Sequence, residues 1–373
     1  MKKLRIGIAA LGLETANDLR SAGIARYGAG LVDALAEGLA SEHEFHIYVM
    51  PGLELPENWT SRPNLFFHRM WRRYTRWNVL IGGLEVVRRR LDYWISTAHT
   101  VPAWSRCPRV LMVHDLFALE HPEWLQEGHA DFYRRTLPSS IKKADLLLAN
   151  SDATRAQLRE LLDVADSKIV VTPLGPGNRL DSVGEAPDSG CHHGRFIFTL
   201  STLEPRKNLV RLIEAFARVK SKPNREDLRL LIGGGKGWGS DAVAGAIEQF
   251  GVANSVTLLG YVPDSDLPAL FRDCVFYICP SLQEGFGMPV LEAMLAGAPV
   301  LCGATGALTE VGGAAARYFD PQDVNSMAWA MDEALSRPEE RAQWAGRGRA
   351  QAGQFSWERT ARLTIQALEE RAA

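Results

Sequence analysis

Two glutamates beside a glycine-rich stretch could bind both an anion and a sugar. Seven residues separate Glu284 from Glu292, and Gly285 and Gly287 follow the first glutamate closely. An apolar run of strand length precedes the stretch, and Pro289 begins a helical pattern. Glycines let backbone N–H groups approach phosphate oxygens, and a helix N-terminus adds donors and a positive dipole end. Carboxylates accept hydrogen bonds from sugar hydroxyls, although the alternative is a tight turn with two solvated glutamates.

An adjacent pair of cations forms a second candidate site. Arg206 and Lys207 follow an apolar strand pattern and precede a helical pattern that begins at Leu209. Cations at a helix N-terminus oppose the helix dipole unless an anion joins them. Arginine can bind a diphosphate through two parallel hydrogen bonds, and lysine can bind it as a point charge. We therefore interpret this pair as a diphosphate site rather than as ordinary charge at a helix start.

A histidine follows one of the predicted strands directly. His114 comes after the apolar run 110–113, and Asp115 is the next residue. In parallel α/β sheets, ligands gather at the carboxyl ends of the strands, so His114 is better placed than a histidine on a helix face. Asp115 could belong to the same site or could cap the loop.

The elements that must position these residues alternate between strand and helix patterns along the chain. This alternation predicts parallel sheets flanked by helices. A chain of 373 residues is too long for one typical core and long enough for two domains. We place the first domain at residues 1–180, a Gly-, Pro-, Ser- and Asp-rich linker at 181–194, the second domain at 195–355 and a final helix at 356–373.

Composition indicates an ordinary globular protein and excludes several classes. Hydrophobic residues make up 46% and charged residues 23%, with a net charge of −2 that gives nucleic acid no global attraction. The five cysteines form no C-x-x-C pair and no zinc spacing, which favours a reducing cytoplasm. The short apolar run near the start is interpreted as a first strand rather than a signal peptide. No apolar run approaches the ~18–20 residues of a membrane span.

Residues 62–92 are strongly basic in a chain that is acidic overall. They contain eight arginines and two acidic residues, a surplus of six positive charges, with Trp71, Tyr74 and Trp77 interleaved among the arginines. One explanation is a solvated helix face or a wall of an acceptor site. Another is contact with an anionic membrane or lipid phosphate, with aromatic rings at headgroup level. Nucleic-acid binding is a third, although no recognition motif supports it.

Several motifs together resemble those of family 4 glycosyltransferases, which are retaining enzymes of the GT-B fold. The spacing E-x7-E around Gly-Phe-Gly is similar to the signature of that family. The sequence E-P-R-K-N at residues 204–208 and His114-Asp115-Leu116 are similar to other family segments, in the family order. The resemblance implies two doubly wound α/β domains facing across a cleft. It also implies that the final helix packs back on the first domain.

The resemblance implies a role for each matching residue. Glu284 and His114 would contact the transferred sugar, Glu292 the nucleotide ribose, and Arg206 with Lys207 the diphosphate. Residues similar to the family's G-I-x-R-Y segment would place Gly23 in a loop at the site. The complete set of implied donor-binding residues is Gly23, Arg206, Lys207, Tyr261, Val262, Glu284, Gly285, Phe286, Gly287, Met288, Leu291 and Glu292. The implied catalytic residues are His114, Glu284, Arg206 and Lys207.

The implied activity is transfer of a hexose from a nucleotide-sugar to a glycan or lipid-linked acceptor hydroxyl, with retention of configuration. Mannose from GDP-mannose is favoured, and UDP- or dTDP-hexoses are the alternatives. Because two cations already supply positive charge, we expect no cofactor and no essential metal. The expected location is cytoplasmic, either free or peripheral on the inner face of the cell membrane. A non-catalytic nucleotide-sugar-binding protein, an epimerase and a phosphorylase are the alternative functions.

Overall fold

The computed structural model describes residues 2–10, 22–71, 74–126, 128–177 and 194–372. The chain forms two compact units, Met1–Gly175 with Phe355–Ala373, and Pro176–Gln354. Each unit contains a parallel sheet with helices, which confirms the predicted α/β class. The predicted linker at residues 181–194 lies outside the described residues, except for Gly194.

The first unit is built on a seven-stranded sheet. In chain order its elements are β1 (Arg5–Ala9), α1 (Ala22–Ala36), β2 (Glu44–Val49), α2 (Glu57–Thr60), β3 (Leu65–Arg69), α3 (Tyr74–Arg89), β4 (Tyr93–Ser96), β5 (Arg109–Val113), α4 (Phe117–Glu120), α5 (His129–Lys143), β6 (Leu146–Ala149), α6 (Asp152–Leu162) and β7 (Ile169–Val171). The strands pair in parallel in the order β3-β2-β1-β4-β5-β6-β7. The order reverses between β1 and β4, and ligands bind at such switch points in open parallel sheets.

The second unit contains a six-stranded parallel sheet. Its elements are β8 (Phe196–Leu200), α7 (Leu209–Lys220), β9 (Arg229–Gly233), α8 (Ser240–Gln249), β10 (Val256–Gly260), α9 (Leu267–Asp273), β11 (Tyr277–Cys279), α10 (Met288–Leu295), β12 (Val300–Gly303), α11 (Gly306–Gly312), β13 (Arg317–Phe319), α12 (Val324–Ser336) and α13 (Pro338–Ala352). The strand order is β10-β9-β8-β11-β12-β13, so the switch point lies between β8 and β11. The central strands of both sheets, such as β5, β6, β8 and β12, are nearly continuous apolar runs, as expected for strands buried on both faces.

The last helix, α14 (Trp357–Ala372), belongs to the first unit, where it packs against α1. Gly30 on α1 permits this contact, because a Cβ atom there would lie 2.1 Å from the Trp357 ring. Near the other end of the helix, Glu369 Oε1 lies 3.0 Å from Nε2 of the buried His43. Both ends of α14 are therefore attached to the first unit.

The basic residues 62–92 form a strand and a helix of the first unit. They include the strand β3, which the sequence did not predict, and the helix α3. Tyr74 and Trp77 are buried in the core at 3% and 2% exposure, so their predicted placement at lipid headgroup level is wrong. Trp71 is 60% exposed, and Arg72 and Arg73 lie outside the described residues. Across the described ranges, no helix is long and apolar enough to cross a bilayer.

Candidate active site

The second sheet brings three of the predicted site residues together at its switch point. Arg206 and Lys207 lie in the loop after β8, and Glu284 lies in the loop after β11. One carboxylate oxygen of Glu284 lies 2.8 Å from Arg206 Nη1, and the other lies 2.6 Å from Lys207 Nζ. Because β8 and β11 are neighbours in the sheet, the topology joins groups that are 77 or more residues apart.

This ion-pair cluster is mostly buried. The side chains of Glu284, Arg206 and Lys207 are 11%, 15% and 13% exposed. Burial by itself would raise the pKa of Glu284, but the charges of Lys207 and Arg206 outweigh it and lower that pKa to about 2. The Ser281 hydroxyl also donates a hydrogen bond of 2.7 Å to Glu284 Oε1. Glu284 is therefore an ionised carboxylate at neutral pH and a weak base.

Neighbours to which the sequence assigned no role hold this cluster in place. Glu204 Oε1 lies 2.9 Å from Arg206 Nε, and the Gln283 carbonyl accepts a hydrogen bond of 3.1 Å from Arg206 Nη1. Arg206 thus lies between two carboxylates, those of Glu204 and Glu284. The only sequence signal for Glu204 was its place in the E-P-R-K-N segment.

Asn208 connects three loops at the same edge of the sheet. Its side-chain amide donates to the Pro280 carbonyl at 3.0 Å and to the Pro321 carbonyl at 2.7 Å. Its own amide oxygen accepts a hydrogen bond of 3.0 Å from Arg211. The residue is buried and has a φ of +58°, a left-handed conformation that asparagine tolerates better than most residues. Asn208 thereby fixes the loops that carry Arg206, Lys207 and Glu284.

The glycine loop leads directly into α10, as predicted. Gly287 precedes the helix with a φ of +102°, and a Cβ atom there would lie 2.6 Å from Leu308. Among the predicted donor-binding residues of this segment, Gly285, Phe286, Gly287, Leu291 and Glu292 are buried and Met288 is half-buried. Phe286 and Leu291 are 4% and 0% exposed, so their side chains serve the core and a donor would meet their backbone. A ribose contact by Glu292 stays a prediction.

Tyr261 and Val262, which the family resemblance places among the donor-binding residues, differ in exposure. Tyr261 follows β10 and is 46% exposed, which leaves its ring accessible to a ligand. Val262 is 7% exposed. Its side chain packs so closely on Gly233 that a Cβ atom added to that glycine would lie 2.9 Å from it. The Gly234 N–H donates to the Gly260 carbonyl at 2.7 Å, which joins the loops after β9 and β10. Tyr261 is therefore the stronger candidate for a side-chain contact with a nucleobase.

In the first unit, His114 lies at the carboxyl end of β5. Its Nε2 atom is 2.8 Å from the Thr97 carbonyl oxygen. Since a carbonyl only accepts hydrogen bonds, Nε2 carries the proton and Nδ1 is the acceptor. Burial lowers the pKa of His114 to about 4, which the hydrogen bond to Thr97 opposes. The imidazole is therefore neutral near pH 7 and can accept a hydrogen bond from a hydroxyl group.

Gly23 is the second residue of α1 and is exposed. The residues before the helix, 11–21, lie outside the described part of the chain. Gly23 therefore lies at the start of a helix rather than in the predicted loop, and its contact with a donor stays a prediction.

One group of possible metal ligands occurs among the described residues. Glu42, His43 and Glu369 place three ligand atoms within 4.8 Å of one another. The Leu4 N–H donates to His43 Nδ1 at 3.4 Å, so Nε2 carries the proton that points to Glu369. Both ring nitrogens are engaged within the protein, and this arrangement fits a structural link better than a metal centre.

Comparisons with known proteins cover both units. The family model "Glycosyltransferase Family 4" matches residues 23–175, and "Glycosyl transferases group 1" matches residues 191–351. The O-antigen chain mannosyltransferase B of Escherichia coli is 31% identical over 266 residues, which cover 70% of this chain and 70% of that protein. The serotype-specific mannosyltransferase WbdA of E. coli is 28% identical over 267 residues, 69% of this chain but 33% of WbdA.

Solved structures agree with the sequence relatives. The sucrose-phosphate synthase of Thermosynechococcus elongatus superposes with a TM-score of 0.75 over 99% of both chains. Its sequence identity of 17% means that this likeness concerns the fold alone. With its two doubly wound parallel sheets, its E-x7-E and E-P-R-K-N segments, and its matches to family models and relatives, the chain belongs to the family 4 glycosyltransferases, of GT-B fold.

Proposed function

We propose that this glycosyltransferase moves a mannosyl group from GDP-mannose to a hydroxyl of a glycan or lipid-linked acceptor, with retention of configuration. The observation that supports it best is the Glu284–Arg206–Lys207 cluster at the switch point of the second sheet. Mannose is favoured over the UDP- and dTDP-hexoses because relatives such as the O-antigen chain mannosyltransferase B are mannosyltransferases by name. The same relatives favour assembly of a polysaccharide or lipopolysaccharide as the setting.

The two cations would stabilise the leaving group. Breaking the glycosidic bond separates a cationic sugar from an anionic nucleoside diphosphate. Preorganised positive groups near that developing charge lower the barrier. A lysine ammonium has three N–H donors, so the hydrogen bond from Lys207 to Glu284 leaves donors for a phosphate oxygen. Arg206 would bind the diphosphate beside it.

Glu284 would orient the sugar without attacking it. Its pKa of about 2 and its two ion pairs make its carboxylate a weak base and a poor nucleophile. Front-face attack, in which the departing phosphate oxygen takes the acceptor proton, requires neither property. His114 would assist by accepting a hydrogen bond from a sugar hydroxyl at Nδ1. Glu292 would bind the ribose from within α10.

We also propose that no metal ion is essential, because Lys207 keeps N–H donors for a diphosphate and the N-terminus of α10 adds the positive end of a helix dipole. Asp264 and Asp266 do form an Asp-x-Asp sequence at the start of α9. The proposal is therefore tested directly by turnover in excess EDTA, with and without added Mg²⁺ or Mn²⁺. Loss of turnover in EDTA that added metal restores would overturn it.

A donor screen tests the activity itself. GDP-mannose, UDP-glucose and dTDP-glucose are each incubated with the purified protein and a mannoside acceptor. We expect release of GDP with a new α-mannosidic linkage, which NMR coupling constants identify. Donor binding without nucleotide release would favour the non-catalytic binding protein. Conversion of the donor to a nucleotide-sugar with a changed sugar, without net release of nucleotide, would favour the epimerase.

A second part of the proposal concerns location at the inner face of the cell membrane. Three apolar side chains of α3, Leu80, Leu84 and Val87, are 56%, 54% and 41% exposed. Their spacing of four and three residues puts them in one row on the helix. Arg76 and Arg88 are exposed towards the two ends of this row. An apolar row with flanking arginines suits the surface of an anionic bilayer. A wall of a soluble acceptor site is the alternative.

A further inference from the structure

The first sheet has a switch point of its own, as the second sheet does. It lies between β1 and β4, whereas His114 follows β5. The segment after β4 runs from Thr97 through His99, and the Thr97 carbonyl accepts the hydrogen bond from His114. His99 therefore lies at the position in this sheet where open α/β folds bind ligands, on the same segment that orients His114.

The backbone of His99 is in an uncommon conformation. Its φ is +50°, in the left-handed region that non-glycine residues seldom adopt. Glycine would fit this conformation more easily, yet the chain carries an imidazole there. Such outliers concentrate at functional sites, so the imidazole of His99 is a candidate functional group.

The surroundings of His99 supply neutral hydrogen-bonding groups. Tyr133 on α5 meets the imidazole edge-on at 4.9 Å between ring centroids, and its hydroxyl lies 3.5 Å from His99 Nε2. Burial, and then the nearby His114, lower the pKa of His99 to about 3. Burial, and then the charge of Asp115, raise the pKa of Tyr133 to about 12. Both side chains are uncharged near pH 7.

We propose that His99 and Tyr133 form, beside His114, a subsite that binds the hydroxyl groups of a hexose. Two imidazoles and a phenol offer both donors and acceptors, which a polyol needs. A phosphate group would find no positive charge on these three side chains, and the Asp115 carboxylate near Tyr133 would repel it. The inference rests on the proposed function, in which the hexose is either the transferred sugar or the terminal sugar of the acceptor.

His99→Gly is an unusually clean test, because glycine adopts the left-handed conformation without strain and only the imidazole is lost. Tyr133→Phe removes the hydroxyl and keeps the ring. Asp163→Gly is the matched control, since Asp163 is exposed after α6 with a φ of +49°. Saturation-transfer NMR with methyl α-mannopyranoside measures hexose binding, and GDP release from GDP-mannose measures donor turnover.

We expect His99→Gly to remain folded with a cooperative thermal transition, while affinity for the mannoside falls about tenfold, the size expected for one lost hydrogen bond. Tyr133→Phe should weaken binding in the same direction, and Asp163→Gly should leave it unchanged. A parallel fall in GDP release without acceptor assigns the subsite to the transferred sugar. A fall in transfer alone assigns it to the acceptor.

If His99→Gly and Tyr133→Phe both bind the mannoside as well as the wild type does, the subsite proposal is wrong. It is also wrong if the folded wild type does not bind the mannoside. Failure of the proposed function has a different signature. In that case the wild type releases no nucleotide from any donor, whereas mannoside binding still depends on His99.

Discussion

At the scale of single residues, the charges of the candidate site are balanced within the protein. Glu284 faces two cations, and one of them, Arg206, also faces Glu204. A carboxylate buried to this degree costs several kcal/mol of solvation energy unless cations surround it. Each member of the cluster therefore supports the folding of the others as well as the chemistry. A substitution in this cluster can therefore lower both stability and turnover, so folding has to be measured together with activity.

Replacing a cation should reduce catalysis strongly. We expect Lys207→Ala and Arg206→Ala each to lower kcat on the order of 10²-fold, as when one preorganised electrostatic contact is lost. Lys222→Ala is a matched control, because Lys222 forms an exposed ion pair with Asp332 and lies on no predicted site. Turnover is measured with GDP-mannose, and folding is checked by circular dichroism. Near-normal turnover of a folded Lys207→Ala or Arg206→Ala variant would place the diphosphate elsewhere.

Substitutions of Glu284 and Glu292 should change different kinetic parameters. Glu284→Gln alters a group predicted to contact the transferred sugar, so kcat should fall most. Glu292→Gln alters a group predicted to bind the ribose, so the KM for the donor should rise more than kcat falls. Full saturation curves with the donor separate the two parameters. If both variants show the same pattern, the division of roles between Glu284 and Glu292 is wrong.

At the scale of elements, Asn208 positions the loops that follow β8, β11 and β13 in the second sheet. Asn208→Gly keeps the left-handed backbone but removes the hydrogen bonds to Pro280 and Pro321. We expect unfolding free energy to fall by about 2 kcal/mol or more, because two buried carbonyls lose a donor. Urea denaturation measures the change. Asn224→Gly, at an exposed residue with a φ of +60°, is the control. Equal effects of the two variants would deny Asn208 this role.

Strands β2 and β3 carry a pair of histidines that should make stability depend on pH. His46 Nδ1 and His68 Nε2 lie 3.1 Å apart. Burial, and then the charge of Arg89, lower the pKa of each from 6.5 to about 4. The unfolded chain therefore binds more protons than the folded protein between pH 6.5 and pH 4. We expect this contribution to be complete above pH 6.5 and to be lost as the pH falls towards 4.

Urea denaturation from pH 7.5 to pH 4.5 measures this dependence. The double variant His46→Gln with His68→Gln should show a weaker loss of unfolding free energy on acidification than the wild type. Parallel pH profiles for the two proteins would show that other groups cause the acid sensitivity.

Apolar patterns predicted the strands that precede the candidate site residues, β5, β8 and β11, because buried parallel strands are almost wholly apolar. The strand β3 was missed, since it pairs with β2 alone at the edge of the sheet and ends in His68 and Arg69. Motifs located Arg206, Lys207 and Glu284 individually. Their contact depends on the adjacency of β8 and β11, which no local pattern contains. His99 was missed for a similar reason, because its position beside β1 and its φ are properties of the fold.

At the scale of the whole molecule, charge and apolar surface are distributed unevenly. The chain has a net charge of −2, yet residues 62–92 carry six surplus positive charges. The exposed row Leu80, Leu84 and Val87 lies within that segment. Exposed apolar side chains in a row among cations are typical of helices that lie in a bilayer interface. The combination of cations with an exposed apolar row predicts binding to an anionic bilayer.

We expect the protein to sediment with anionic vesicles and not with neutral ones. Each arginine near a charged bilayer contributes about 1 kcal/mol, and salt screens this attraction within roughly 8–10 Å, so binding should weaken at high salt. Leu80→Ser with Leu84→Ser should reduce binding at both salt concentrations, because the apolar contribution resists screening. Trp329→Ser removes a side chain that is 65% exposed on α12 of the second unit, and should change nothing. Equal, negligible sedimentation with both vesicle types at both salt concentrations would contradict the membrane proposal, and would leave a soluble acceptor as the partner of this face.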